Sequence, residues 1–253
     1  MYDVEGYWSK VGKKIEERGE GNVIAGDDEP FYVYKRKKFL ETQFSEVDFK
    51  NKVVAEFGCG PGGNIQEVLK KGPEKVIGLD ISPVMIGLST KKFKENERVA
   101  LHVTNGRDLP LQDRSVDLIY SVTVLQHITD ESMFLNAVKE MCRVSNDQVI
   151  IFERIEKTFK GTPLNHGRTI SQYKKLFESY GYKLEKYKSI NINISYYVCG
   201  AYRKLLNSKS RIEGEPLSAI SIFAEQISLP ITKLLDKIFP ADRDQGMLVF
   251  KRK

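Results

Sequence analysis

Residues 52–63 read Lys-Val-Val-Ala-Glu-Phe-Gly-Cys-Gly-Pro-Gly-Gly, a short apolar run that leads directly into a glycine-rich turn. The run Lys52–Phe57 is typical of a buried strand. A helix is predicted over Asn64–Lys71, since its apolar residues share one face and Gly72 follows it. Glycines in such a turn leave no Cβ in the way of a ligand, so this stretch predicts a backbone that passes close to a bound molecule.

Short apolar runs and helical segments alternate along the rest of the chain. Further strands are predicted over Lys75–Asp80, Val99–Thr104, Val116–Val122, Gln148–Glu153, part of Tyr182–Tyr197, and Gly246–Lys251. Further helices are predicted over Tyr32–Phe44, from Ser82-Pro83 onward, over Asp130–Arg143 and over Ser171–Tyr180. This alternation implies crossover connections and a parallel sheet, so the predicted class is α/β, doubly wound.

The composition is that of a globular chain. With 253 residues, 41% of them hydrophobic and 29% charged, one larger domain is expected and disorder is excluded. No apolar run reaches the length of a membrane-spanning helix, and the N-terminus lacks the apolar core of a secretory signal. Three widely separated cysteines form no zinc spacing, which predicts a cytoplasmic protein.

The net charge of +6 is divided unevenly along the chain. Residues 151–253 hold 19 Lys and Arg against 10 Asp and Glu, whereas residues 1–150 hold 21 against 24. The second part is therefore where a surface for nucleic acid, anionic lipid or a phosphorylated substrate would lie, unless its lysines are simply solvated.

The glycine turn carries an acidic partner on the next strand. Gly58-x-Gly60-x-x-Gly63 satisfies the dinucleotide fingerprint, and Asp80 ends the second predicted strand 22 residues after Gly58. A carboxylate there can accept hydrogen bonds from ribose hydroxyls. The pattern leaves open two cofactors, a nicotinamide or flavin dinucleotide and S-adenosylmethionine.

Three further features decide between these cofactors. Glu56 completes an E-x-G-x-G-x-G pattern, residues 105–117 read NGRDLPLQDRSVD, and residues 118–128 read LIYSVTVLQHI. Together they resemble the class I S-adenosylmethionine-dependent methyltransferases of the small-molecule type, over about residues 50–152. The resemblance implies a Rossmann-like, seven-stranded sheet with an antiparallel last strand. It divides the chain into a helical lid (1–50), a cofactor-binding core (51–198), a helical insertion (199–245) and the last strand (246–253).

The resemblance also implies roles for single residues. Gly58, Gly60 and Gly62 would line the methionine and ribose portions of the cofactor, and Asp80 would bind the ribose hydroxyls. Glu56 would orient the glycine turn or bind the amino group. The remaining implied contacts are Cys59 in the turn, Ile81 and Met85 against adenine, Asn105, Gly106, Arg107 and Asp108 beside it, and Ser121 and Val122 at the methionine end.

The sequence at the end of the fourth strand narrows the range of possible methyl acceptors. Family members that methylate exocyclic amines of bases carry an Asn/Asp-Pro-Pro-Tyr turn there, whereas residues 121–124 read Ser-Val-Thr-Val. Nucleic acid is therefore disfavoured, and a small molecule, a sugar or a lipid-linked metabolite methylated at oxygen is expected. The alternatives are an NAD(P)-dependent oxidoreductase and a non-catalytic protein that binds S-adenosylmethionine.

Methylation of a hydroxyl requires a group that removes its proton, and histidine suits this task. His166, after the fifth strand, is the first candidate, and His127, at the ligand edge of the sheet, is the second. In the family that the chain resembles, the position of His127 more often shapes the cofactor pocket than it removes a proton. Arg168 could bind a carboxylate or phosphate of the acceptor. Tyr7 and Trp8 could close over the site as an aromatic lid. No His, Asp or Glu cluster has metal-ligand spacing, so no metal is predicted.

A hydrophobic stripe lies near the C-terminus. Its residues are Ile231, Leu234, Leu235, Ile238 and Phe239, which share one helical face that ends at Pro240. With Lys233 and Lys237 beside it, the stripe could lie on a membrane surface or cover the acceptor site. It could equally be core or the contact of a homodimer.

Overall fold

The computed structural model describes residues 3–19, 29–211, 215–240 and 244–253. The strands are β1 (Val53–Phe57), β2 (Lys75–Asp80), β3 (Val99–Val103), β4 (Val116–Val122), β5 (Ser145–Ile155), β6 (Lys160–Thr162), β7 (Asn165–Gly167), β8 (Tyr182–Ser189) and β9 (Asp244–Arg252). The helices are α1 (Val4–Glu17), α2 (Pro30–Thr42), α3 (Gly63–Leu69), α4 (Pro83–Phe93), α5 (Glu131–Val144), α6 (Ile170–Ser179), α7 (Asn193–Leu205) and α8 (Ala219–Ile238).

Seven of these strands form one sheet, in the order β3-β2-β1-β4-β5-β9-β8. Neighbouring strands from β1 to β5 pair in parallel, whereas β9 pairs antiparallel with both β5 and β8. The predicted Rossmann-like sheet with an antiparallel last strand is confirmed. Because β1 lies between β2 and β4, the strand order reverses at β1, and a crevice for a ligand opens at the carboxyl ends of these strands.

Both faces of the sheet are covered. Along β1, Val54 packs into a cluster with Phe39 and Phe44, whereas Ala55 faces a second cluster that contains Phe134 of α5. Successive side chains of a strand point to opposite faces, so a strand buried on both sides reads as the continuous apolar run seen in the sequence.

Some predicted elements differ from the observed ones. The strand predicted within Tyr182–Tyr197 is β8, which occupies Tyr182–Ser189, whereas residues from Asn193 onward form α7. The first turn of α7 has no cap from its own segment, but Asp236 of α8 accepts hydrogen bonds from the N–H groups of Ile194 and Ser195. A distant carboxylate therefore supplies the cap, which local sequence cannot reveal. The β6–β7 hairpin was also not predicted.

The segments before and after the core are helical where they are described. Helix α1 packs against α4 through Val11, Ile15 and Met85, and α2 lies against α7 and α8. Parts of the predicted lid and insertion (residues 1–2, 20–28, 212–214 and 241–243) lie outside the described residues. Among the described helices, none combines the length and the apolar character that crossing a bilayer requires.

Candidate functional site

A pocket opens at the carboxyl ends of β1, β2 and β4, where the sheet topology predicts a ligand site. Glycine, apolar and a few polar residues line it. They are Val4, Trp8, Phe57, Gly58, Gly60, Leu79, Asp80, Ile81, Met85, Thr104, Gly106, Val122, Thr123, Val124, His127, Ile128 and Met133.

The glycine turn after β1 forms one wall of the pocket. Gly58 has a φ of +76°, and a Cβ built on it would come within 2.3 Å of the Val124 side chain. Only glycine fits there without displacing the loop after β4. Asp80 fixes the turn, because its carboxylate accepts hydrogen bonds from the N–H groups of Gly60 (2.9 Å) and Ser82 (2.8 Å). The carboxylate is 8% exposed at the pocket, and burial raises its pKa.

A buried polar cluster lies beneath the glycine turn. The Glu56 carboxyl group is fully buried and accepts hydrogen bonds from the Asn64 amide (2.8 Å) and the Tyr120 hydroxyl (2.9 Å). Arg36 of α2 donates to the Asn64 side-chain oxygen and to the carbonyl of Gly63. Burial raises the pKa of Glu56 to about 8. Because Glu56 holds the first turn of α3 and does not line the pocket, its geometry favours the predicted orienting role.

A second buried carboxylate, which the sequence analysis missed, holds the loop after β4. Glu153 of β5 is fully buried and accepts hydrogen bonds from the N–H groups of Val124, Leu125 and Gln126 at 3.0–3.1 Å. The Ser121 hydroxyl also donates to it at 3.2 Å. Burial raises the pKa of Glu153 to about 7. The only sequence signal is an acid at the end of an apolar strand.

The turn after β3 contributes the far wall through its backbone. Gly106 has a φ of +69°, and a Cβ there would lie 2.3 Å from the Met133 methyl group. The Asn105 side-chain oxygen accepts hydrogen bonds from the N–H groups of Arg107 and Asp108, each at 2.8 Å. Asn105 thus shapes the turn, while the side chains of all three are exposed outside the pocket lining.

The predicted cofactor residues divide into two groups. Those that line the pocket are Gly58, Gly60, Asp80, Ile81, Met85, Gly106 and Val122. Those that do not line it are Glu56, Cys59, Gly62, Asn105, Arg107, Asp108 and Ser121. Most residues of the second group either lie buried beneath the pocket wall or shape the turns that form it. Thr104, Val124 and Met133 line the pocket but were not predicted to do so.

Of the two candidate bases, His127 is the one that reaches the pocket. Its Nδ1 lies 3.1 Å from the Leu164 carbonyl, which can only accept a hydrogen bond, so Nδ1 carries the proton. The Gln126 carbonyl oxygen accepts from the Arg154 N–H, which directs the Gln126 amide nitrogen at His127 Nε2 (3.2 Å). In this arrangement Nε2 accepts a hydrogen bond from the Gln126 amide.

The aromatic pair of α1 approaches the same histidine. The Trp8 ring meets the His127 ring edge-on at 5.1 Å and lines the pocket. Tyr7 contacts Trp8 edge-on at 5.3 Å but does not line the pocket. The N-terminal helix thus covers one side of the site through Trp8 and Val4.

The other two predicted acceptor-side residues lie elsewhere. His166 is on β7, where its ring packs on Phe159 at 5.1 Å, and it does not line the pocket. Arg168 is 2% exposed, and its guanidinium donates to the carbonyls of Leu125 and Ile128 and stacks on a phenylalanine of α5. This geometry does not fit the predicted acceptor contact. Arg168 instead holds the His127 loop in place.

Comparisons with known proteins agree with this geometry. Residues 54–148 match the family model described as a methyltransferase domain. The chain is 30% identical over 114 residues to ajmaline N-methyltransferase of Rauvolfia serpentina, covering 43% of this chain and 38% of that protein. It is 28% identical over 111 residues to the chloroplastic tocopherol O-methyltransferase of Arabidopsis thaliana, covering 43% of this chain and 31% of that protein.

A solved structure extends the similarity of fold over nearly the whole chain. Magnesium protoporphyrin IX methyltransferase from Synechocystis, with bound S-adenosylhomocysteine, has a TM-score of 0.61 at 14% identity, covering 99% of this chain and 98% of that one. The predicted class I methyltransferase family is confirmed for residues 54–148. The chain spans only about a third of the length of the curated relatives it matches.

Proposed function

Residues 54–148 belong to the methyltransferase domain family, and we propose that the chain is an S-adenosyl-L-methionine-dependent methyltransferase acting on a small molecule. The observation that carries this proposal is the pocket itself. The pocket combines a glycine turn, in which a Cβ at Gly58 would collide with Val124, with the Asp80 carboxylate at the rim of the pocket.

The residues present fit the cofactor. Asp80 is placed to accept hydrogen bonds from the ribose hydroxyls, and Ile81 and Met85 offer apolar contacts to the adenine. The space above Gly58 and Gly60 would admit the methionine portion. S-adenosyl-L-methionine, when bound, supplies an electrophilic methyl group on a sulfonium. Val122, Val124 and Ile128 add an apolar wall, which would limit the access of water to the place where that methyl group is transferred.

For the acceptor, the proposal is transfer to oxygen with His127 as the base. A hydroxyl of the acceptor would give its proton to His127 Nε2, and the Nδ1–H would remain bonded to the Leu164 carbonyl. The Gln126 amide nitrogen is bonded to Nε2, so the acceptor hydroxyl would have to displace it against the Arg154 N–H bond that fixes the amide. Relatives named as N- and as O-methyltransferases both match this chain, and an amine with a free lone pair would not need this base.

Cofactor binding is the first test. Isothermal titration calorimetry of the full chain with S-adenosyl-L-methionine, S-adenosylhomocysteine and NADH should give binding of the first two only. Asp80→Ala should weaken that binding roughly tenfold or more, because each hydrogen bond to a charged group contributes about 1.5–3 kcal/mol. The exposed Asp113→Asn is the matched control. Binding of NADH without S-adenosyl-L-methionine would overturn the proposal.

Turnover is the second test. Incubation with S-adenosyl-L-methionine and fractionated small metabolites should release S-adenosylhomocysteine together with a methylated product. Cofactor that binds but is never consumed with any fraction would favour a non-catalytic binding protein instead.

A further inference from the structure

The last helix, α8, buries polar side chains and exposes apolar ones. Its buried residues are Ser221, Glu225, Leu229, Thr232 and Asp236. Its exposed apolar residues are Ile220, Phe223, Ile227, Ile231, Leu234 and Ile238, which we call the α8 stripe; each is 58–68% exposed. The members follow one another at intervals of three or four residues, so they form a single face. A helix of a globular protein normally has the opposite orientation, with its apolar face inward.

Buried hydrogen bonds fix this orientation. The Glu225 carboxylate accepts a hydrogen bond from Arg203 of α7 at 2.7 Å. Asp236 accepts from the Tyr34 hydroxyl of α2 at 3.1 Å and from the Ser195 hydroxyl at 2.6 Å. Turning α8 so that the stripe faces inward would leave the Arg203 guanidinium and the Tyr34 and Ser195 hydroxyls in the interior without these acceptors, which is costly. The stripe is therefore held on the outside of the fold.

The charges around the stripe have one sign. The exposed charged side chains of α7 and α8 are Lys204, Lys233 and Lys237, whereas the acids Glu225 and Asp236 are both buried. Two copies of this face would repel each other, but a surface of negative charge would attract it.

The stripe runs along nearly the whole length of α8. From Ile220 to Ile238 it extends about 27 Å along one side of the helix. The neighbouring helix adds Leu205, which is 76% exposed, and Tyr197. An apolar face flanked by lysines, on a helix that does not span a membrane, is typical of a helix lying in the plane of a lipid interface.

We propose that the α8 stripe docks this protein on the surface of an anionic lipid bilayer. The helix lies parallel to the membrane plane, the six apolar side chains enter the boundary of the acyl chains, and Lys204 and Lys237 interact with lipid phosphates; the Lys233 ammonium lies over the Tyr34 ring instead. This surface is separate from the cofactor pocket and does not depend on the proposed reaction.

Vesicle flotation of the full chain tests this surface. The protein should float with vesicles of phosphatidylcholine and phosphatidylserine, and more weakly with phosphatidylcholine alone or at high salt. Ile227→Gln/Leu234→Gln should lower the partition coefficient roughly tenfold or more, because both side chains are exposed in the free protein. Lys204→Gln/Lys237→Gln should lower it roughly tenfold on anionic vesicles only. The matched control is Leu135→Gln on the exposed face of α5.

Three results would overturn the proposal. The wild-type protein could fail to float with anionic vesicles, or the stripe variant could float as well as the wild type. Light scattering after size exclusion could instead show a dimer that the stripe variant dissociates, which would assign the stripe to a second copy. Circular dichroism of both double variants establishes that a loss of flotation is not a loss of folding.

Discussion

Replacing Glu56 by glutamine should make the stability of the protein less dependent on pH. Glu56 is fully buried, and burial raises its pKa from 4.5 to about 8. Between these values the folded protein binds this proton more tightly than the unfolded chain does. The free energy of unfolding therefore falls as the pH rises through that window, because the unfolded state binds fewer protons there.

The size of the effect follows from the two pKa values. The separation between 4.5 and about 8 corresponds to at most about 5 kcal/mol, reached above pH 8. Water entry and side-chain movement reduce such penalties in real proteins, so we expect at least about 1.5 kcal/mol. Glutamine has no proton to lose, and its amide can accept from Asn64 and donate to the Tyr120 oxygen in place of the neutral carboxyl.

The assay is urea unfolding of wild type and Glu56→Gln at pH 5 and pH 9. The variant should gain at least about 1.5 kcal/mol relative to wild type between the two values, or roughly 3–6 °C in Tm. The partly exposed Glu178→Gln is the control and should show no such change. A constant difference between wild type and Glu56→Gln would refute the reasoning, since it would mean that Glu56 is ionised in the folded protein throughout this range.

Three further predictions concern the walls of the pocket. Gly58→Ala should weaken S-adenosyl-L-methionine binding roughly tenfold or more by calorimetry, because the new Cβ would lie 2.3 Å from Val124 at a φ of +76°; unchanged affinity would show that the loop yields. His127→Phe keeps a ring beside Trp8 and should lower kcat for a hydroxyl acceptor about 10²- to 10⁴-fold without changing cofactor affinity, whereas an unchanged kcat would remove His127 as the base. Glu153→Gln should cost about 1–3 kcal/mol in urea unfolding, because an amide N–H would face a backbone N–H, and an equal stability would mean that the carboxyl is already neutral.

The parts of the site that could be predicted are those encoded within a few residues of one another. The glycine turn, the strand before it and Asp80 form a local pattern, and the structure places Gly58, Gly60 and Asp80 on the pocket wall. His127 was named because it follows β4 directly, at the edge of the sheet where ligands bind.

The supports of the site could not be predicted, because they connect elements far apart in sequence. Glu153 accepts hydrogen bonds from the loop after β4, which lies 27–29 residues earlier in the chain. Arg36, on the helix before β1, donates a hydrogen bond to α3. Arg168 was misread for the same reason. When its partners are unknown, an arginine in a loop is readily interpreted as a ligand-binding residue. The partners of Arg168 are instead backbone carbonyls about 40 residues earlier in the chain.

The C-terminal helix shows why periodicity alone cannot decide between core and surface. A stripe at helical spacing is equally consistent with either, and hydrophobicity normally favours the core. Here two buried carboxylates, Glu225 and Asp236, determine the outcome, since each needs donors that only α2 and α7 provide. Glu225 and Asp236 can be read from the sequence as easily as the stripe can. Their spacing places them on the opposite face of the helix. An acidic pair on one face of a helix, matched by cations and hydroxyls on its neighbours, can therefore outweigh an apolar face and turn it outward. Part of the positive charge of residues 151–253 therefore lies beside the apolar α8 stripe. In our proposal, this combination favours a lipid partner over nucleic acid.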